Sequence, residues 1–217
     1  LGIEAHGQSP YSHTFLRASK QVSAGLADYD YVMYDRGFRM TPAKGATSLV
    51  KVGEPYFERA WDHFSGHDYT PEAKLSKYSA AVQQGKAITV SVPLLSAYGR
   101  HAAPNYRTLL ANLISLLLPK PLVKAQGPSA LQTTVVERDK RTVVHVLSYL
   151  PERRAEGLDL VEEPFPLVEV PLSIKLDAAP KRVFLAPEER ELPFEWDGEY
   201  ATIHLTCLTG HTMVVAE

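Results

Sequence analysis

The chain has 217 residues, 45% of them hydrophobic and 22% charged, with a formal net charge of −2. This balance excludes a disordered tail, a coiled coil and a collagen-like fibre, and without a basic field nothing points to nucleic acid. The single cysteine, Cys207, excludes an intramolecular disulfide framework and a multi-cysteine zinc site.

The length suits one large domain or two small ones. The apolar run at residues 109–118 is about half of what a bilayer span needs, and no secretory signal opens the chain. No membrane partner is expected, and a single unpaired cysteine fits the cytoplasm. The first residue is Leu1 rather than Met, which reads as a processed or excised piece.

From the N-terminus, residues 14–24 suggest a weak helical turn. Residues 29–34 (YDYVMY) and 45–52 (GATSLVKV) read as strands. Residues 54–70 are rich in aromatics and histidines without a clean period. Residues 71–85 are polar and read as loop with a short helix. Residues 87–92 (AITVSV) form an apolar run that predicts a buried strand. Residues 105–118 give the clearest helix, with Pro104 near its first turn and Pro119 stopping it. Its leucines occupy almost every face towards the end, which predicts packing on more than one side.

Near residues 119–128 the character changes, and nearly everything beyond reads as strand. Residues 131–138 and 142–149 flank Asp139-Lys140 as a hairpin. Val168, Val170, Leu172, Ile174 and Leu176 alternate onto one face. Residues 181–186, 191–196, 200–205 and 212–216 follow at short spacing, with Asp197-Gly198 as a strong turn. Seven strands without a helical pattern predict a small antiparallel β-sandwich.

The densest polar cluster is Pro55-Tyr56-Phe57-Glu58-Arg59-Ala60-Trp61-Asp62-His63-Phe64-Ser65-Gly66-His67-Asp68. Aromatics beside carboxylates suit a sugar surface, because rings stack on C–H faces and carboxylates accept hydroxyl protons. The plainer reading is a loop packed against a neighbouring domain. His63 and His67 are four apart, but Ser65-Gly66 disfavours the helix a metal pair would need, so no metal site is expected. Glu58, Asp62 and Asp68 are carboxylates by type, and nothing in the sequence shows them facing one another. There is no Gly-x-Ser-x-Gly elbow and no phosphate-cradling loop. Cys207, in the stretch HLTCL, reads as a small buried hydrophobe. His145 and His211 read as satisfied core or interface histidines rather than ligands.

Three stretches carry a resemblance. They are PYFER…HFSGH at residues 55–67, VVHVLSYLPERR at 143–154 and GHTMVV at 210–215. Together they resemble the C-terminal region of multidomain bacterial glycoside hydrolases of the β-galactosidase-like and α-L-fucosidase-like kinds. Such enzymes carry a catalytic (β/α)₈ barrel, then a trimerisation domain similar in fold to class I glutamine amidotransferases, then a small β-sandwich. The resemblance implies α/β plus all-β architecture. Residues 1–125 would be part of the amidotransferase-like domain and residues 128–217 the sandwich.

It further implies that the catalytic carboxylates lie in a barrel outside this sequence, so no catalytic residue is carried over and no cofactor is expected. The implied partners are that upstream barrel, the other subunits of a homo-oligomer and the carbohydrate substrate of the parent enzyme. The expected role is therefore non-catalytic, in oligomerisation and domain packing. Tyr56, Glu58, Arg59, Trp61, His63 and His67 are the expected contact or substrate-mouth residues. A carbohydrate-binding module using Trp61, Tyr98 and Trp196 is the rival reading. A small enzyme built on Glu58, Asp62 and His63 is a third.

Overall fold

A computed structural model describes residues 1–217 apart from the side chain of Cys207, so the reading of that thiol as a buried hydrophobe lies outside the described residues. The chain divides into two compact units, Leu1–Pro119 and Lys120–Glu217.

The first unit contains β1 (Ile3–Gln8), β2 (Thr14–Ala18), β3 (Tyr31–Met33), β4 (Phe38–Pro42), β5 (Thr47–Pro55), β6 (Glu72–Gln84), β7 (Ala87–Val90), α1 (Leu94–His101) and α2 (Pro104–Leu117). Five of the strands form one sheet in the order β3-β2-β5-β6-β7, and β1 pairs separately with β4. All these pairings are antiparallel. An amidotransferase-like domain is built from parallel strands joined by crossover helices. That expectation for residues 1–125 therefore finds no support in the pairing.

Two local expectations change in the same unit. Residues 14–18 are strand rather than helical turn, because Thr14 and Leu16 alternate into the interior. Residues 72–84 are one 13-residue strand rather than loop and short helix. Its first half is polar because it lies on the exposed end of the sheet, and register shifts along β5 break the alternation that would have betrayed it.

The core of this unit sits between one sheet face and the helices. Leu16, Val50, Val52 and Ala81 pack with Leu94, Ala97, Tyr106, Leu109 and Leu113. Pro104 occupies the first turn of α2, as expected. Tyr106, Leu109 and Leu113 lie on one helical stripe, and these are its buried residues. Ile114, Leu117 and Leu118 remain exposed, so α2 is packed on one side and not on several. β7 is likewise an edge strand, partly exposed, rather than a fully buried one.

The second unit contains β8 (Val123–Ala125), β9 (Leu131–Arg138), β10 (Arg141–Ser148), β11 (Glu152–Ala155), β12 (Leu158–Leu160), β13 (Leu167–Lys175), β14 (Val183–Ala186), β15 (Arg190–Leu192), β16 (Glu195–Trp196), β17 (Tyr200–Leu208) and β18 (Gly210–Ala216). β8 pairs with β13, so residues 123–125 belong with this unit and not with the first. Two antiparallel sheets, β15-β14-β18-β10-β9 and β16-β17-β13-β8, share one core. Val144, Val146, Val183 and Val214 come from the first sheet; Val170, Leu172, Ile174 and Ile203 come from the second. This is the layering expected of a β-sandwich.

The Asp139-Lys140 turn joins β9 to β10 with both residues at positive φ (51° and 65°), the backbone a tight hairpin requires even without glycine. Gly198 (φ +97°) serves the β16–β17 turn, and the Asp197 carboxylate accepts from the Glu199 and Tyr200 amides. Val168 departs from its alternation: it is 68% exposed at the end of β13.

Candidate functional site

The aromatic segment at residues 56–71 is the connection between β5 and β6. Its neck is closed where the Tyr56 amide donates to Pro71 O (3.2 Å) and the Thr70 hydroxyl donates to Phe57 O (2.8 Å). Its tip is a two-residue turn, with Ala60 and His63 exchanging backbone hydrogen bonds of 2.8 and 3.1 Å. Trp61 and Asp62 sit at that tip. His63 Nδ1 lies 3.0 Å from Asp62 Oδ1, and its ring is 6.0 Å from Phe57. The His63 contact leads the effects that hold the Asp62 carboxyl below its usual range. Arg59 pairs with Asp68 at 2.7 Å and reaches His67 O at 3.3 Å, while Ser65 donates to His67 O. The segment is thus folded by its own polar groups, and three of its rings stand in solvent. Trp61 is 96% exposed, Phe64 79% and Tyr56 68%.

Glu58 is fixed differently. Its Oε2 accepts from the Ser12 amide (2.7 Å) and hydroxyl (3.3 Å), and Arg36 lies 3.5 Å from its Oε1. Next to Ser12, His13 is 2% exposed, with Nε2 2.9 Å from Thr70 O. A carbonyl only accepts, so Nε2 carries the proton. Ser12, His13 and Glu58 have the membership of a nucleophilic triad but not its geometry. The Ser12 hydroxyl lies 3.3 Å from Glu58 Oε2 and 3.5 Å from His13 Nδ1, so the glutamate meets the serine instead of orienting the histidine, whose proton is committed to the backbone. The group ties the loop to the segment entering β2.

The ring of His13 meets Tyr69 edge-on at 5.1 Å, Tyr69 meets Tyr34 at 5.2 Å, and Tyr34 meets His101 at 5.2 Å. Asp35 holds the far end, 3.1 Å from His101 Nε2 and 2.8 Å from Arg100. A further cluster lies where the loop enters β6. Arg17 forks onto Asp30 through bonds of 2.5 and 2.6 Å. Glu72 lies beside Asp30, and burial, reinforced by that neighbour, pushes its carboxyl up to about 7. Burial also acts upward on Asp30, but the hydrogen bonds from Arg17 and Glu72 outweigh it and hold that carboxyl below its usual range. The Glu72 side chain fills the space over Gly53, where a Cβ would stand 2.1 Å from Oε1.

The structure therefore brings Tyr56, Glu58, Arg59, Trp61, His63 and His67 onto one loop but does not converge them on one point. Glu58 is engaged with Ser12 and Arg36, and Asp62 with His63. Among the described residues, no group of three or more His, Cys, Asp or Glu is placed to hold a metal. Of the three aromatics of a binding-module reading, Tyr98 packs against the first core and Trp196 is half-buried, leaving Trp61 fully exposed. Sequence reasoning missed His13, Asp30, Tyr34, Asp35 and His101, which are distributed singly along the chain and carry no spacing signal. Among the described residues, no helix is long and apolar enough to cross a membrane.

No protein-family model matches the chain, and no curated protein matches it. Among solved structures, α-L-fucosidase isoenzyme 2 from Paenibacillus thiaminolyticus is similar over 100% of this chain, with 26% identity and a TM-score of 0.92. The β-galactosidases from Bacillus circulans sp. alkalophilus (15% identity, TM-score 0.48) and Rahnella sp. R3 (11%, TM-score 0.49) align over 100% and 99% of this chain, and over 25% and 24% of their own. The chain spans 33% of the fucosidase chain. What the stretches at residues 55–67, 143–154 and 210–215 suggest, the whole fold now bears out: this chain resembles the C-terminal region of α-L-fucosidase-like bacterial glycoside hydrolases.

Proposed function

We propose that the chain is a non-catalytic C-terminal region of a glycoside hydrolase of the α-L-fucosidase kind, serving domain packing and oligomerisation in the cytoplasm. Its partners are an upstream catalytic barrel and other subunits of a homo-oligomer, and the parent enzyme acts on a carbohydrate. The observation that carries this reading is the match along the entire chain to one third of the fucosidase. Two features support it. The acidic groups of the loop are engaged with local partners, and large apolar side chains stand in solvent: Trp61, Phe64 and Tyr56 on the loop, Ile114, Leu117 and Leu118 on α2. Apolar surface of this kind gains free energy when another surface covers it. The loop bearing Tyr56, Glu58, Arg59, Trp61, His63 and His67 is the proposed contact, at the mouth of the barrel or between subunits.

The test is turnover of an aryl α-L-fucoside by this chain. No turnover is expected, and a rate removed by Glu58→Gln or Asp62→Asn would overturn the reading. The exposure of Trp61 also favours a second reading, a carbohydrate-binding surface. Saturable quenching of tryptophan fluorescence by fucosylated oligosaccharides, lost in Trp61→Ala, would select it.

A further inference from the structure

In β10, Val144 and Val146 face the core and His145 lies on the opposite face of the sheet. β18 pairs with β10 in a register that sets His145 opposite Met213 and Leu147 opposite His211. His211 and Met213 are two apart on one strand and share a face, so both stand on the side of His145. The two imidazoles meet diagonally across the strands. His145 Nδ1 is 3.0 Å from His211 Nε2, and the rings are within 9° of parallel. His211 is exposed, and His145 and Met213 are half-buried, so solvent reaches the pair.

Such a hydrogen bond needs one nitrogen with a proton and one without. At least one ring is therefore neutral and already aims its lone pair at the other. A cation can replace the bridging proton. Two metal–nitrogen bonds of about 2.05 Å at a tetrahedral angle set their nitrogens roughly 3.3 Å apart. The pair must open by a few tenths of an ångström, and because the rings meet nitrogen to nitrogen within 9° of parallel, they must also tilt for both lone pairs to converge on one ion. Imidazole suits zinc, copper and nickel ions, and the thioether of Met213 adds a soft neighbour rather than a hard oxygen donor.

We infer that His145 and His211 form a cross-strand binding site for a transition-metal dication, with water completing its coordination. Because no group of three or more His, Cys, Asp or Glu assembles among the described residues, the site is open and not a closed structural centre. Bound metal clips β10 to β18 and stabilises the second unit, since it binds the folded pair and the unfolded chain separates the two rings by 66 positions.

The experiment is a calorimetric titration of the full chain with Zn²⁺, alongside His145→Gln, His211→Gln and the control His6→Gln. His6 lies in the first unit, bonded to Thr41 at 2.8 Å. One saturable equivalent is expected, with chemical-shift changes confined to the two imidazoles and a raised thermal midpoint. Loss of an outer-sphere partner weakens metal sites by roughly 10–100-fold, so loss of either ligand is expected to weaken Zn²⁺ binding by at least that much. The control is expected to bind like the parent. Circular dichroism confirms that each surface variant remains folded. Absence of saturable binding, or equal affinity in the His145→Gln/His211→Gln double variant, would overturn the inference.

Discussion

The two units solve burial differently, and the difference decides where organised polar groups can stand. The second unit closes its core between two sheets, so valines from both supply the interior and no helix is needed. The first unit has one five-stranded sheet and finishes its core with two helices. A core on one face leaves neighbouring loops and strand ends free to carry ordered charge. There lie Arg17–Asp30–Glu72, Glu58–Ser12–Arg36 and Asp35–His101–Arg100. In the second unit Arg153 pairs with Asp159 across the exposed β11–β12 hairpin, and Arg141 and Arg182 share Glu217. Ordered charge is thus concentrated on the first unit's loops and strand ends, whereas the histidine pair of the second stands on a sheet's outer face.

The largest effect is expected from Val144→Asp. Val144 is 0% exposed, between Val135 and Val214 in register. An uncompensated carboxylate there is expected to cost roughly 4 kcal/mol or more and to abolish hydrogen-exchange protection throughout the second unit. An unchanged denaturation midpoint would contradict a core shared by two sheets. Leu113→Ala asks the same of the helix-finished core. Leu113 is 3% exposed, and its truncation is expected to cost about 2–5 kcal/mol in urea unfolding. A cost below about 1 kcal/mol would mean that α2 contributes little to that core.

The same contrast explains what could be read from the sequence. In β10 and β13 alternating valines, isoleucines and leucines meet uninterrupted register, and Asp139-Lys140 and Asp197-Gly198 mark tight turns. Strand identity there is local information. In β6 it is not, because Glu72 to Tyr78 are held in the sheet by β5 and the bulges of the pairing, while their own composition is that of a loop. β11 and β12 form a short hairpin bridged by Arg153–Asp159, and Leu158 and Leu160 on its one apolar face stay exposed. Trp61 and His63 were visible as a dense cluster, since the loop is contiguous. His13, Asp30 and His101 were not, since they arrive from β2 and its neighbours, a loop and the end of α1. His145 and His211 looked like isolated core or interface residues until the register of β10 with β18 paired them.

A smaller effect sharpens the account of the first core. The Tyr106 hydroxyl donates to Val32 O (2.8 Å) and accepts from the Tyr34 amide (3.3 Å). Burial pushes its ionisation up to about 12, so it stays neutral at working pH. Tyr106→Phe keeps the ring and leaves two backbone groups without that partner. A loss of about 1–2 kcal/mol is expected in chemical denaturation, with no change in slope.

Smaller still is the pH response of Glu72. Its folded value of about 7 lies above the ordinary 4.5, so the folded state retains a proton that the unfolded state releases. The resulting stabilisation is present below about pH 4.5 and is lost as pH rises towards and through 7. The lowered carboxyl of Asp30 acts in the opposite sense, below its own ordinary range. Urea midpoints measured at pH 5 and pH 8 are expected to fall for the parent and to change less for Glu72→Gln. Parallel falls in both proteins would assign the pH dependence to other groups.

The smallest expected effect on stability is also the most informative about the loop. Trp61 is 96% exposed at a turn closed by the Ala60–His63 backbone pair and braced by Phe57 against His63. The turn keeps these restraints without the indole. Trp61→Ala is therefore expected to alter unfolding free energy by less than about 0.5 kcal/mol. An aromatic ring of this size gains free energy when covered, so its contribution is expected to show in association and not in folding. Sedimentation equilibrium of the parent protein and Trp61→Ala tests this directly. Weaker assembly with an unchanged thermal midpoint would place the tryptophan in a contact. A midpoint lowered by several degrees would instead make the ring part of the loop's own fold and remove the basis for using it as a docking element.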